Sequence, residues 1–354
     1  MKRKLLAAAV ASAFAMPALA QVPAEIQIYG RVNVTGERIE TDNSNDPAVP
    51  NQSNYELVDN SSRIGIRGKK ELTPGLSAIF QIESRVNLTD GGDVLSSRDS
   101  YAGLQGAFGT IRTGRTIGPV YYATYDYISM HNHDTGTSSD ALLNTTIFGN
   151  QGFMNNTLWY TSPKIGPITI DAAFSLLGEE REDPAMDQPR HIGLVASYDQ
   201  GPLHAAISYA NTENDADLVA GPGTRASSAT AWTIGGAYDF KFMVLGALWE
   251  MAETDIVGGS VDSDYWRIAA MFPFGQHELH VNYGLVDADG DRGAQQWTLA
   301  YNYNITKTTK VYAFYTVVDN DNAGNFVMGG STSTIASATG AQYSSIAIGF
   351  RHNF

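Results

Sequence analysis

The charged side chains fall into two groups that could act on a solute together. Arg63, Arg67 and Lys69 share one parity along the chain, because Ile64, Ile66 and Gly68 take the other. Gln81, Glu83 and Arg85 alternate in the same way with Phe80, Ile82 and Val86. Arg98 follows, and then Arg112 and Arg115. The next segment, 116–154, carries Asp126, Asp134 and Asp140, with Tyr121, Tyr122, Tyr125 and Tyr127 around the first of them. Guanidinium groups on one surface and carboxylates on a facing one would set a field across the gap between them, which sorts solutes by charge and dipole. This is selection, with no bond made or broken.

Other chemistries find less support. Asp287-Ala288-Asp289-Gly290-Asp291 opens like a calcium loop, but the required glycine falls one place late, at Gly293. Thr298 stands where the bidentate carboxylate belongs. His131 and His133 could offer two imidazoles, yet no third ligand is identifiable. The chain contains no Gly-x-Ser-x-Gly elbow, no phosphate loop and no His-Glu-x-x-His. With no cysteine, a disulfide scaffold, an iron–sulfur protein and a thiol enzyme are excluded. A net charge of −14 argues against nucleic acid as a partner, since that needs a basic face. No metal or cofactor is expected.

The elements that must position the charges have a period of two. Ile168, Ile170, Ala172, Phe174 and Leu176 alternate with Thr169, Asp171, Ala173 and Ser175. Ile26, Ile28, Gly30, Val32 and Val34 alternate with Gln27, Tyr29, Arg31, Asn33 and Thr35. Such alternation marks strands with one apolar and one polar face. About sixteen segments qualify: 25–38, 60–70, 76–88, 97–106, 110–115, 155–162, 167–177, 190–199, 202–211, 229–239, 241–252, 264–273, 277–286, 295–304, 310–319 and 342–354. In the fourth, Tyr101 and Leu104 cannot both face outward, so a bulge is an option there. Short turns such as Leu72-Thr73-Pro74-Gly75 alternate with long connections at 40–59, 116–154, 178–189, 212–228 and 320–341.

An apolar-out, polar-in sheet with turns at one end and loops at the other describes a transmembrane antiparallel β-barrel. A sheet surrounded by lipid must close, because edge N–H and C=O groups would find no water. At sixteen strands the bore is too wide for side chains to fill and stays aqueous. Aromatic residues near segment ends, among them Tyr301, Tyr303, Trp266 and Phe272, fit the interfacial belts. A soluble sandwich or propeller would also alternate, but no blade-length repeat is present. Residues 1–20 read as a cleaved leader: Lys2-Arg3-Lys4, an apolar run from Leu5 to Met16, and Ala18-Leu19-Ala20 before Gln21. Residues 21–354 then form a single barrel domain with a net charge of −17, from 20 basic and 37 acidic side chains.

Several blocks, in this order, resemble the Gram-negative general porins of the trimeric proteobacterial kind. They are Ile28-Tyr29-Gly30; Ser62-Arg63-Ile64-Gly65-Ile66-Arg67-Gly68; Leu76 through Gln81-Ile82-Glu83; Arg98-Asp99-Ser100-Tyr101-Ala102-Gly103-Leu104; and Phe108-Gly109-Thr110-Ile111-Arg112-Thr113-Gly114-Arg115. Asn156-Thr157-Leu158-Trp159-Tyr160-Thr161-Ser162-Pro163 and the end Gly349-Phe350-Arg351-His352-Asn353-Phe354 complete the set. The resemblance implies a sixteen-stranded barrel in the outer membrane, a homotrimer among lipid and lipopolysaccharide, and a third long loop folded inward. It also implies that the terminal Phe354 is read by the barrel-insertion machinery. His352 departs mildly, since a more apolar residue is expected on the lipid face.

The resemblance places Arg63 and Arg98 on the wall of a constriction, opposite the acids of 116–154. The expected constriction set is Arg63, Arg98, Glu83, Arg85, Arg112, Arg115, Asp126 and Asp134. Family members often carry a further arginine near Phe153-Met154, where this chain is apolar. Many acids lie away from the pore, including Glu179, Glu180, Glu182, Asp183 and Asp187 in one loop. The function implied is passive diffusion of small hydrophilic solutes and ions, with a slight lean toward anions. Two alternatives are a substrate-specific channel, for which the four tyrosines are the sole candidates for a greasy slide, and a barrel enzyme.

Overall fold

The computed structural model describes residues 25–89, 97–131, 133–143, 153–176, 190–213, 226–256, 259–328 and 333–354. The proposed leader and the acidic stretch 179–187 lie outside the described residues. The described strands are β1 (Glu25–Asp42), β2 (Gln52–Asp59), β3 (Arg63–Thr73), β4 (Leu76–Arg85), β5 (Ser100–Gly106) and β6 (Gly109–Thr116). Next come β7 (Met154–Thr161), β8 (Ile168–Leu176), β9 (Arg190–Gln200), β10 (Leu203–Glu213), β11 (Ala226–Asp239) and β12 (Val244–Ile256). The remainder are β13 (Gly259–Phe274), β14 (His277–Ala288), β15 (Ala294–Asn304), β16 (Thr309–Asn320) and β17 (Gln342–Asn353).

Every neighbouring pair is antiparallel, and the sheet shuts on itself where β1 runs alongside β17 from Arg31↔Asn353 to Asp42↔Gln342. Seventeen segments fill sixteen wall positions. β2 and β3 both pair with β1, stacked end to end along it. The break between them is stapled by Asn33: its N–H donates to Ser62 Oγ at 2.9 Å, its side-chain amide donates to the Asn60 carbonyl at 2.9 Å, and its own carbonyl accepts from the Asn60 N–H at 2.9 Å. The expected connection 40–59 is therefore mostly strand. Gln52-Ser53-Asn54 is too polar to read as one, but it lies at the loop end of the wall.

The alternation sorts as the closure argument requires. On β13, Trp266 and Ile268 point outward and are 49% and 59% exposed, while Tyr265, Arg267 and Ala269 between them are buried. Trp266 stacks on Trp249 of β12 at 5.0 Å, and eight residues further along lies Phe274. At about 3.3 Å per residue those positions are roughly 26 Å apart along the strand, or about 20 Å along the membrane normal at a tilt of about 40°, within the apolar band of a bilayer-spanning barrel. In β5, Tyr101 turns inward and Ala102 and Leu104 outward; the ladders on both its sides run without a register shift. The register shifts lie instead at Glu71/Thr73, Gly114/Thr116 and Ala226/Ser228.

Part of the inner face is apolar, contrary to the simplest polar-in reading. Ala206 and Ala210 of β10, Ala231 of β11, Leu248 and Ala252 of β12 and Val286 of β14 form one buried cluster. The same cluster holds Tyr121, Tyr125, Ile128 and Leu142 of the segment after β6. That segment contains the short helices Pro119–Ala123 and Tyr125–Ile128 and a 3-10 turn, Ser139–Leu142. It crosses the bore and covers the far wall, so the small inner residues there face protein and not water.

Candidate functional site

A cavity of about 780 Å³ lies between the near wall, formed by β1, β3, β4 and β17, and the crossing segment. Arg63, Arg85, Arg98, Glu83, Asp126 and Asp134 all line it, six of the eight side chains expected from the sequence. Register explains the grouping. Arg31 lies opposite Arg63 across the β1–β3 ladder, and Arg63 lies opposite Arg85 across the β3–β4 ladder. Three arginines thus stand side by side on consecutive strands. Like charges directly opposite one another destabilise a sheet, so the row needs a use outside folding. Arg351 of β17 and Lys310 extend the basic surface.

Glu83 organises this row. It is buried, accepts from Arg98 Nε at 2.6 Å and from the Tyr29 hydroxyl at 2.8 Å, and lies 4.0 Å from Arg63. Tyr29 reaches it by lying across Gly65, which sits between the two in register. A Cβ on Gly65 would collide with the Tyr29 ring. Gly65 is therefore the gap through which one hydroxyl crosses a strand.

On the facing side, Asp134 pairs with Arg31 at 2.6 Å, so one arginine of the row is already engaged by the crossing segment. Asp126 and Asp140 face the cavity. Loss of solvent inside the barrel, and then the neighbouring Asp134, raise both carboxyls above their usual range. Asp140, which accepts from the Tyr121 hydroxyl at 3.0 Å, is pushed up to about 7. Asp140 is thus only partly ionised near neutrality, whereas the guanidiniums of the wall keep their charge.

Arg112 and Arg115 are placed apart from this cavity. Arg112 lies 3.9 Å over the Trp159 ring and donates to Thr161 Oγ1 at 2.8 Å. Arg115 donates to the Ser97 carbonyl at 3.1 Å and to Asn155 Oδ1 at 2.5 Å. Phe153 does line the cavity, flanked by Arg98 at 5.1 Å and Arg115 at 5.2 Å. The four tyrosines form no continuous slide: Tyr121 and Tyr125 are buried, and Tyr127 stacks on His204 at 3.6 Å.

The crossing segment is fixed by polar bonds to the far wall. Arg267 Nη2 donates to the Thr137 carbonyl at 2.9 Å and Gln296 Nε2 to that of Gly136 at 2.6 Å. His131 and His133 both meet Asn302 Oδ1, at 3.1 and 3.3 Å, with the His280 ring 5.0 Å from His131. Burial, followed by the adjacent imidazoles His280 and His131 respectively, holds both loop histidines well below the usual imidazole range, and hence neutral. Their ring nitrogens are taken by Thr137, Asn302 and Arg351, an anchoring arrangement. Among the described residues no group of three His, Asp or Glu is placed to hold a metal ion. The Asp287–Asp291 turn is tied to its neighbours, with Arg292 donating to the Asp289 carbonyl at 2.9 Å and Asn322 Nδ2 to Asp291 Oδ2 at 2.7 Å.

Sequence reasoning missed Arg31, Arg351 and Lys310. The inward parity of Arg31 and Arg351 was available, but their nearness to Arg63 depends on the closing seam.

The sequence profile described as Gram-negative porin matches residues 7–323. Outer membrane porin protein 32 of Delftia acidovorans is 27% identical, with both chains covered in full. An outer membrane porin protein of Bordetella pertussis is 23% identical, again with both chains covered in full. Among solved structures, the anion-selective porin from Comamonas acidovorans superposes with a TM-score of 0.81 at 25% identity, covering 94% of this chain and all of the other. The trimer form of OmpT, an outer membrane protein of Vibrio cholerae, gives 0.69 at 17% identity, covering 94% and 99%. The chain belongs to the Gram-negative porin family, as an outer-membrane barrel whose water-filled bore carries small hydrophilic solutes by passive diffusion.

Proposed function

We propose that the bore is narrowed where the near wall faces the crossing segment, and that anions pass there in preference to cations. The observation that carries this reading is the cross-strand row Arg31, Arg63 and Arg85, facing carboxyls that are paired or raised. Seven cationic side chains and four side-chain carboxyls line the cavity. A narrow point lined by excess positive charge in a low-dielectric wall concentrates anions. The net charge of the whole chain belongs to its outer surfaces and does not set this local potential. Arg63, Arg85 and Arg98 supply the field, Glu83 holds them in place, and Asp126 and Asp134 form the opposite edge. Arg112 and Arg115 act on the approach to it. The similar barrel from Comamonas acidovorans is an anion-selective porin, which supports this assignment. Passage is the whole activity, with no catalytic step.

The working unit is a homotrimer. Tyr55, Leu57, Ile346 and Ile348 are among the most exposed large apolar side chains and share the outer face of β1, β2 and β17, a surface suited to a second copy. The rest of the apolar belt meets lipid, with lipopolysaccharide around the loops. Residues 1–20 are removed on export, 21–354 form one domain, and Phe354 serves as the insertion signal. Reversal potential in a potassium chloride gradient tests the selectivity: the anion branch is expected, and a cation-selective channel overturns it. Unheated electrophoresis tests the trimer, which is refuted if only a monomer band is found in mild detergent.

A further inference from the structure

We propose that the cavity favours anions carrying an aromatic body, the arene carboxylates, over small aliphatic anions of equal charge, and that Phe153 is the side chain that sets this preference. The inference rests on the anion reading above and adds a substrate class to it.

The cavity has two chemically different parts within reach of each other. One is a pair of guanidiniums. Arg63 and Arg85 are direct cross-strand neighbours; the nearest carboxylate to Arg63 is 4.0 Å away. Arg85 is tied through its backbone N–H to Ser97, and no ion pair engages its side chain among the described residues. Two planar forks side by side match a carboxylate, which accepts through both oxygens. The second part is apolar. Phe153, Ile117 and Tyr122 line the same cavity, and Tyr122 is held in place by its hydroxyl, which donates to Asp99.

A short chain of contacts links the parts. Phe153 lies 5.1 Å from the Arg98 guanidinium, Arg98 is bonded to Glu83 at 2.6 Å, and Glu83 is 4.0 Å from Arg63. Two side chains, Arg98 and Glu83, thus connect the apolar surface to Arg63, and both parts border the one cavity. The cavity volume is ample for an arene carboxylate. Phe153 lies near the Arg98 and Arg115 guanidiniums without cancelling their charge, as a carboxylate at that position would. An acetate ion satisfies only the forks, whereas benzoate satisfies both parts. Aromatic contact of this kind is worth roughly a threefold to tenfold gain in occupancy.

The test uses the full-length porin in planar bilayers at neutral pH, with chloride current blocked by potassium benzoate or potassium acetate. The readout is the ratio of half-blocking concentrations, normalised to each variant's own chloride current. Wild type should be blocked by benzoate at about threefold to tenfold lower concentration than by acetate. Phe153→Ser should bring the ratio to one and Phe153→Tyr should preserve it. Equal block in wild type overturns the proposal without any variant, and so does a ratio that survives in Phe153→Ser. Reversal potential in the same bilayers separates the two readings. A cation-selective wild type defeats the anion assignment itself, while an anion-selective channel indifferent to the ring defeats only the arene preference.

Discussion

The two inner walls of this barrel are built to opposite specifications. The near wall carries Arg31, Arg63 and Arg85 in one row, with Arg98 and Arg351 beside it, around the open bore. The far wall, over β10 to β14, is lined by Ala206, Ala210, Ala231, Ala252 and Val286 and is covered by protein. Small inner residues leave room for the crossing segment to lie flat, and apolar burial holds it there at roughly 25 cal/mol per Å². The arginine row takes no apolar cover, since a buried unpaired guanidinium is costly, and meets the crossing segment through the Asp134 carboxylate instead. The same alternating strand thus either lines a pore or carries a plug, according to what occupies its inward positions. The position of the crossing segment follows from that division.

Removing the cover should have the largest effect. Excising 121–140 and joining the ends through a short glycine linker is expected to raise single-channel conductance at least about twofold, as the proposed narrowing by that segment requires. An unchanged conductance would mean that the bore is narrowed elsewhere. Stripping the near wall comes next. Arg31, Arg63 and Arg85 changed together to serine should collapse the reversal potential in a salt gradient toward zero, since the cationic excess of the lining is then gone. A reversal potential that holds its value would place the selective charge outside the row.

A subtler break targets the support beneath the row. Gly65→Val should drive Tyr29 off Glu83 and cost about 1–3 kcal/mol, as overpacking does. The expected readout is a lower unfolding temperature of the assembled barrel, and an unaltered one would show that Tyr29 is not held at this gap. The smallest effect is a pH dependence. Asp140 titrates at about 7 against an ordinary 3.8, so it loses its charge as pH falls from 8 to 6. The cavity then becomes more positive and anion preference should rise modestly. Asp140→Asn should be flat over that range, and a wild type that is equally flat refutes the assignment. For stability the sign is reversed from the usual carboxylate: the folded state binds this proton more tightly, so the contribution of Asp140 weakens as pH rises from about 4 to about 7.

The near wall was more legible in the sequence than the far wall. Parity alone put Arg63, Glu83 and Arg85 on one surface, because sheet faces follow from a period of two and consecutive strands are neighbours. Arg31 and Arg351 share the right parity, but their place beside Arg63 rests on a ladder between residues more than 300 positions apart. The strand Gln52–Asp59 was hidden because its polar start imitates a loop. Arg112 and Arg115 are a different case. Their distance from the cavity comes from the bulge at Gly114/Thr116 and from the Trp159 ring, which captures Arg112. The His131–His133–Asn302 anchor could not be foreseen, since Asn302 is about 170 residues distant.

The seam between residues 31–42 and 342–353 has a consequence for biogenesis. A polypeptide halted before residue 342 leaves raw hydrogen-bonding rims on its first and penultimate hairpins, and neither rim is tolerable among acyl chains. Partial products therefore cannot settle into the bilayer as leaky half-shells. Joining the two margins works as a built-in length check, passed only once translation has gone far enough to supply the matching edge.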